Sequence, residues 1–126
     1  MRIGFIEEQG QRLLLLDFSR MTETAATLAL IEEAKAFFRT LPQRKEILTL
    51  TDVSKMRFDI AVLKAFEELI RHDEPWEKAV AVCGLAGIGL VTFRAQNLMT
   101  GGRMHGFAKR DEAVAWLLKQ ATSASS

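Results

Sequence analysis

Ile47-Leu48-Thr49-Leu50-Thr51-Asp52-Val53-Ser54-Lys55-Met56-Arg57-Phe58-Asp59-Ile60 reads as a buried strand, a polar turn and the start of a helix. The residues from Ile47 to Thr51, with Val53, are apolar or β-branched with almost no polar break. That is the pattern of a strand covered on both faces of its sheet. Asp52 and Ser54 offer side-chain oxygens to local backbone N–H groups and turn the chain. Asp59 stands just ahead of Ile60, Val62, Leu63, Phe66, Leu69 and Ile70, which recur at helical spacing. It is therefore the natural N-cap of a helix running to about Arg71. Its carboxylate also opposes the positive end of the helix dipole.

Upstream of this corner, Arg2 to Glu7 reads as a short strand and Glu8 to Gln11 as a hairpin turn, with Gly10 free to take positive φ. Arg12 to Phe18, carrying four consecutive leucines, is a second buried strand. Ser19 to Thr24 holds several capping candidates. Leu28, Ile31, Ala34, Phe37, Phe38 and Leu41 then trace the wide stripe of a helix packed on a sheet. Pro42 ends that helix near Thr40.

Downstream, His72-Asp73-Glu74-Pro75 breaks the second helix and Glu77 to Cys83 is another buried strand. Gly84 to Gly89 is a glycine-rich turn into a third helix over about Ile88 to Thr100, closed by Gly101-Gly102. Met104 to Lys109 is a final strand. Asp111 caps a last helix whose face is Ala113, Val114, Leu117 and Leu118, and residues 121–126 fray. The alternation of strands and helices predicts one α/β domain over residues 1–120: a mixed, mostly parallel five-stranded sheet with an antiparallel N-terminal strand and four helices.

The composition sets the function classes. In 126 residues, 17 Lys and Arg face 16 Asp and Glu, a net charge of +1, which offers no basic field for nucleic acid. No apolar run approaches the roughly 20 residues of a membrane helix. The N-terminus lacks a signal-peptide core, and the lone Cys83 fits a reducing compartment, so a cytoplasmic location is expected.

Four polar groups fall at the carboxyl ends of the parallel strands: Asp17, Asp52, Cys83 and Lys109. Open α/β sheets bind ligands at that edge, and two aspartates with a lysine suggest a magnesium or phospho-acceptor site. The simpler reading is that the aspartates satisfy turn N–H groups and that Cys83 is an inert buried thiol. Gly84-Leu85-Ala86-Gly87-Ile88-Gly89 matches no nucleotide-binding motif and reads as a turn that permits close packing. His72 and His105 lack the spacing of a metal pair. On the third helix Leu90 and Phe93 lie off the core face beside Arg94, and so extend a contact patch. Trp116 reads as rim packing.

With the order of elements and the corner both read, the chain resembles the STAS fold, and more closely its small stand-alone SpoIIAA-like branch, whose architecture is related to CRAL-TRIO lipid-transfer domains. The residues that carry the resemblance are Leu15-Leu16-Asp17-Phe18-Ser19, Leu48 to Ser54 followed by Arg57-Phe58-Asp59, and Val82 to Gly87. In anti-sigma-factor antagonists of that family, the corner continues into serines that a partner kinase phosphorylates. Asp52, Ser54 and Asp59 match the pattern, but Ile60 and Ala61 stand where those serines would be, so the acceptor is missing. The resemblance implies a non-catalytic interaction or regulatory module without cofactor or metal. It would dock a protein partner, or itself, through Ser54, Lys55, Arg57, Phe58 and Asp59, together with Leu90, Phe93 and Arg94. The alternative is a small domain that binds an apolar ligand or lipid.

Overall fold

The computed structural model describes residues 1–85 and 103–122. Eight elements follow one another: β1 (Ile3–Glu8), β2 (Gln11–Asp17), α1 (Thr24–Phe38), β3 (Ile47–Asp52), α2 (Ile60–Asp73), β4 (Glu77–Cys83), β5 (Met104–Phe107) and α3 (Arg110–Thr122). The five strands form one sheet in the order β1-β2-β3-β4-β5. β1 pairs antiparallel with β2, and the remaining pairs are parallel. This is the mixed α/β sheet expected from the sequence. The tight β1–β2 turn has Gln9 at φ 50° and Gly10 at φ 78°, the primed-turn geometry whose twist matches that of the strands it joins.

The four leucines of β2 alternate between two cores. Leu14 and Leu16 join Phe18, Ile31, Ala34, Phe38, Val62, Leu69, Val80 and Val82 beneath α1 and α2. Leu13 and Leu15 join Leu48, Leu50, Ala79, Ala81, Cys83, Ala113 and Leu117 beneath α3. A period-2 chain buried on both faces must be apolar at successive positions, which explains the run.

Four helices are expected, and three lie within the described residues. The third expected helix, Ile88 to Thr100, falls outside them. Several boundaries also move. α1 starts at Thr24 after Glu23, whose side chain makes no cap, because the Thr24 hydroxyl is directed instead at Asp59. α2 continues through His72 and Asp73, two residues past Arg71, since Asp73 lies one turn after Leu69 on the buried stripe. Ile60, expected on that stripe, points to solvent, and Leu63 is half-exposed. β5 stops at Phe107, so Lys109 lies beyond the strand end. Asp111 is inside the first turn of α3 rather than its cap. That turn is held from the other side, where Lys109 N donates to Glu112 Oε1 at 3.3 Å.

Candidate functional site

The corner between β3 and α2 is held rigidly from beneath. Asp52 Oδ1 accepts hydrogen bonds from Ser54 N at 2.9 Å and from Ser54 Oγ at 2.5 Å. Asp17 Oδ1 accepts from Ser19 N at 2.9 Å, the same two-residue turn on the neighbouring strand. Both aspartates therefore satisfy turn N–H groups, as the simpler reading of the sequence expects. Arg110, rather than Lys109, faces this edge, with Nη1 3.8 Å from Asp52 Oδ2. Cys83 pairs in register with Asp52 and is fully buried, and burial pushes its thiol up to about 12. A thiol in that state is no nucleophile at neutral pH.

Ser54 is also pressed from the side. Gly84 has φ +89°, and a Cβ there would lie 2.5 Å from Ser54 N and 2.6 Å from its Cα. Close packing of the β4 turn against the corner is what requires glycine. The chain then swings outward. Lys55 takes φ 55°, Met56 tucks into the core, and Arg57 N donates to Met21 O at 2.9 Å. Lys55 and Arg57 are exposed. Phe58 is 43% exposed, Ile60 74% and Leu63 49%. Among the described residues these three, with Met1, are the exposed large hydrophobics, and they lie within six positions.

Asp59 ends the corner as the N-cap of α2, accepting from Val62 N at 2.8 Å. Its other oxygen accepts from the Thr24 hydroxyl, which links the first turns of α1 and α2. Chiefly that hydroxyl, and then the Val62 N–H, hold the Asp59 carboxyl below its ordinary value. Of the expected contact residues, the structure thus brings Lys55, Arg57 and Phe58 together at the surface. It ties Ser54 and Asp59 into the scaffold beneath. Leu90, Phe93 and Arg94 lie outside the described residues.

A second feature lies beneath α2 and has no counterpart among the expected sites. A cavity of about 420 Å³ separates the helix from the sheet. Leu16, Val53, Val80, Val82, Met104, Phe66, Leu69 and Ile70 give it apolar walls, and Asp73 and Glu77 also line it. β4 carries an irregularity that explains Glu77. Ile47 pairs with Glu77 and the next residue, Leu48, pairs with Ala79, so Lys78 is skipped. The bulge turns Glu77 onto the Val80 and Val82 face, where strict alternation would send it to the opposite one.

Asp73 is 2% and Glu77 4% exposed. Burial raises Asp73 to about 9, with the neighbouring Glu77 adding to the rise, and burial raises Glu77 to about 7. Arg103 lies 3.7 Å from Glu77 and 3.8 Å from Glu74, and donates to Ile70 O at 3.2 Å. Asp73 instead meets His72 Nδ1 at 2.8 Å. Arg39 Nη1 lies 3.2 Å from His72 Nε2 and can only donate, so Nε2 accepts and the proton of a neutral imidazole sits on Nδ1. Desolvation, and then the Arg39 charge, keep His72 below its ordinary value, which agrees with that tautomer.

Two buried polar atoms make no hydrogen bond within 3.5 Å among the described residues: Thr49 Oγ1 and Arg103 Nε. Thr49 lies beside Glu77, and Arg103 is its ion-pair partner. In the sequence Asp73 falls in an expected helix breaker and Glu77 at an expected strand start. Asp73 at Leu69 plus four was the available signal. The two histidines stay apart, as their spacing implies, with His72 stacked on Trp76 and His105 on Trp116. No group of three metal-ligating side chains occurs among the described residues.

No protein-family model and no curated protein matches the chain. Solved structures do. An uncharacterised protein of the DUF3478 family with a SpoIIAA-like fold, from Shewanella loihica PV-4, superposes with a TM-score of 0.68 at 18% identity, covering 91% of each chain. An anti-sigma-factor antagonist (STAS) domain protein from Planctomyces limnophilus superposes with a TM-score of 0.54 at 14% identity, covering 95% of this chain and 98% of that one. The chain therefore has the SpoIIAA-like fold found in STAS domain proteins. No helix among the described residues is long and apolar enough to cross a membrane.

Proposed function

We propose that the chain is a non-catalytic STAS-like interaction module that docks a protein partner through the β3–α2 corner. One observation carries this reading: Phe58, Ile60 and Leu63, the large apolar side chains exposed on the described surface beyond the N-terminal Met1, all lie on that corner. Isolated exposed apolar residues need no explanation, but three within six positions beside Lys55 and Arg57 make a contact patch with a charged rim. The rigid footing supplied by Asp52, Gly84 and Asp59 presents the patch in one conformation, which lowers the entropy cost of docking.

The polar groups at the sheet edge support a non-catalytic role, because Asp17 and Asp52 are held by turn N–H groups and Cys83 by burial. Asp59-Ile60-Ala61 has no hydroxyl where antagonists of the resembled family carry their phosphoacceptor, so binding would be constitutive at this position. The partner-binding surface would extend to Leu90, Phe93 and Arg94. Arg57→Glu combined with Phe58→Ala should abolish a partner complex or self-association while leaving the melting temperature in place. Complex formation at wild-type strength by that double variant would overturn the proposal.

A second reading, a domain that takes a small apolar ligand, is favoured by the cavity under α2. Its volume and apolar walls suit a ligand of modest size.

A further inference from the structure

We infer that the cavity beneath α2 binds a small amphiphile bearing an amino group, with its apolar body along Leu16, Val53, Phe66 and Val82 and its ammonium against Asp73 and Glu77. This rests on the apolar-ligand reading above and adds the chemistry of the ligand's polar end. The geometry gives the slot a direction. α2 returns antiparallel to β4 in the crossover that joins two parallel strands, so its first turn lies at the carboxyl edge of the sheet and its last at the amino edge. Leu63 and Asp73, both lining the cavity, are ten residues apart on the helix, about 15 Å along its axis.

At one end Phe58 and Leu63 are half-exposed, which leaves that end open to solvent. At the other end two buried carboxyls face apolar walls. The β4 bulge places one of them there against strand alternation, and the last turn of α2 supplies the other.

The charge balance at the closed end selects the head group. Arg103 is engaged by Glu74 and Glu77, so its single positive charge is already shared. Asp73 has only the neutral His72 beside it in hydrogen-bond range among the described residues. Burial, with Glu77 beside it, keeps the Asp73 proton on against the opposing charges of Arg103 and Lys35. An ammonium entering there would displace that proton and form a desolvated ion pair. A carboxylate head would meet two acids, and a neutral head would leave the pair as it is.

The test is titration calorimetry of the intact chain at pH 7.5 with decylamine, decanol and decanoate, which share one tail. Decylamine should bind at least tenfold tighter than decanol and release a proton to the buffer, as seen from heats in two buffers of different ionisation enthalpy. Decanoate should bind weakest. Asp73→Asn should bring decylamine to the decanol affinity and abolish proton release, and Glu77→Gln should weaken decylamine at least several-fold, with decanol binding unchanged in both. Val82→Trp, which fills the slot, should abolish all three. Equal binding of the three probes, or a preference for decanoate, would overturn the amine assignment and leave the apolar-ligand reading standing. Failure of all three probes to bind would overturn both.

Discussion

The Thr24 hydroxyl donates to one oxygen of Asp59 while the other oxygen accepts the N–H of Val62. One carboxylate thus caps α2 and holds the start of α1 against it. Asp59→Ala removes both bonds and should lower the melting temperature by a few degrees. Asp59→Asn should restore part of the loss, because its amide oxygen can still accept from the helix. The Asp59 carboxyl is held below its ordinary value, so its contribution is present above about pH 4 and is lost as pH falls through the folded value. Thermal melts of the three proteins between pH 3 and 7 check both points. An alanine variant with wild-type stability throughout would contradict the capping role.

Gly84 faces a different constraint, since positive φ and contact with the Ser54 backbone coincide there. Gly84→Ala should destabilise the fold by more than about 1 kcal/mol, read from the urea midpoint at constant slope. Gly10→Ala has the same φ problem but open space around its Cβ, so it should cost less.

Asp73 supplies a pH dependence of opposite sign to that of Asp59. Its folded value of about 9 lies far above the ordinary 3.8, so between these values the folded state holds a proton that the unfolded state has released. Stability should therefore fall as pH rises. The groups facing it are Glu77, Arg103, Lys35 and His72. Above about pH 7.5 His72 is largely neutral in both states, and Glu77, raised only to about 7, has given up most of its proton, so Asp73 is the main carboxyl left to titrate. Urea midpoints should drop across pH 7.5 to 9 in the wild type and drop distinctly less in Asp73→Asn, where only Glu77 and the Cys83 thiol remain to titrate. A rising midpoint, or an equal drop in the variant, would contradict the buried acid.

Much of this was legible in the sequence because local rules agreed with the fold. The run from Ile47 to Asp52 could only be a two-sided strand, and Asp59 before helically spaced apolar residues could only be a cap. The expectation went wrong where a side chain answered to a distant partner. Thr24 is one of several capping candidates for its own helix, but Asp59, 35 residues away, claims its hydroxyl. Glu77 carried no pattern, because its orientation follows from a bulge fixed by pairing with β3. Ile60 matches helical spacing yet faces solvent, and Leu63 is only half covered, since periodicity tells which residues share a face and not whether anything covers it.

That exposure yields a further test. Ile60→Lys should leave stability within about 0.5 kcal/mol of wild type, because an exposed side chain gives up little packing. Val62→Ala, two residues along and fully buried, should cost several times more. Denaturant curves of the pair distinguish a surface patch from a poorly packed core.

The claim that the β3–α2 corner is a docking surface is tested most directly by a photo-crosslinking residue at position 58, with the same residue at exposed position 119 on α3 as control. Irradiation in the expressing cell should give one discrete adduct from position 58 and none from 119. Adding Arg57→Glu should remove the adduct without lowering the amount of folded protein. Equal labelling from both positions, or an adduct indifferent to Arg57, would contradict the account.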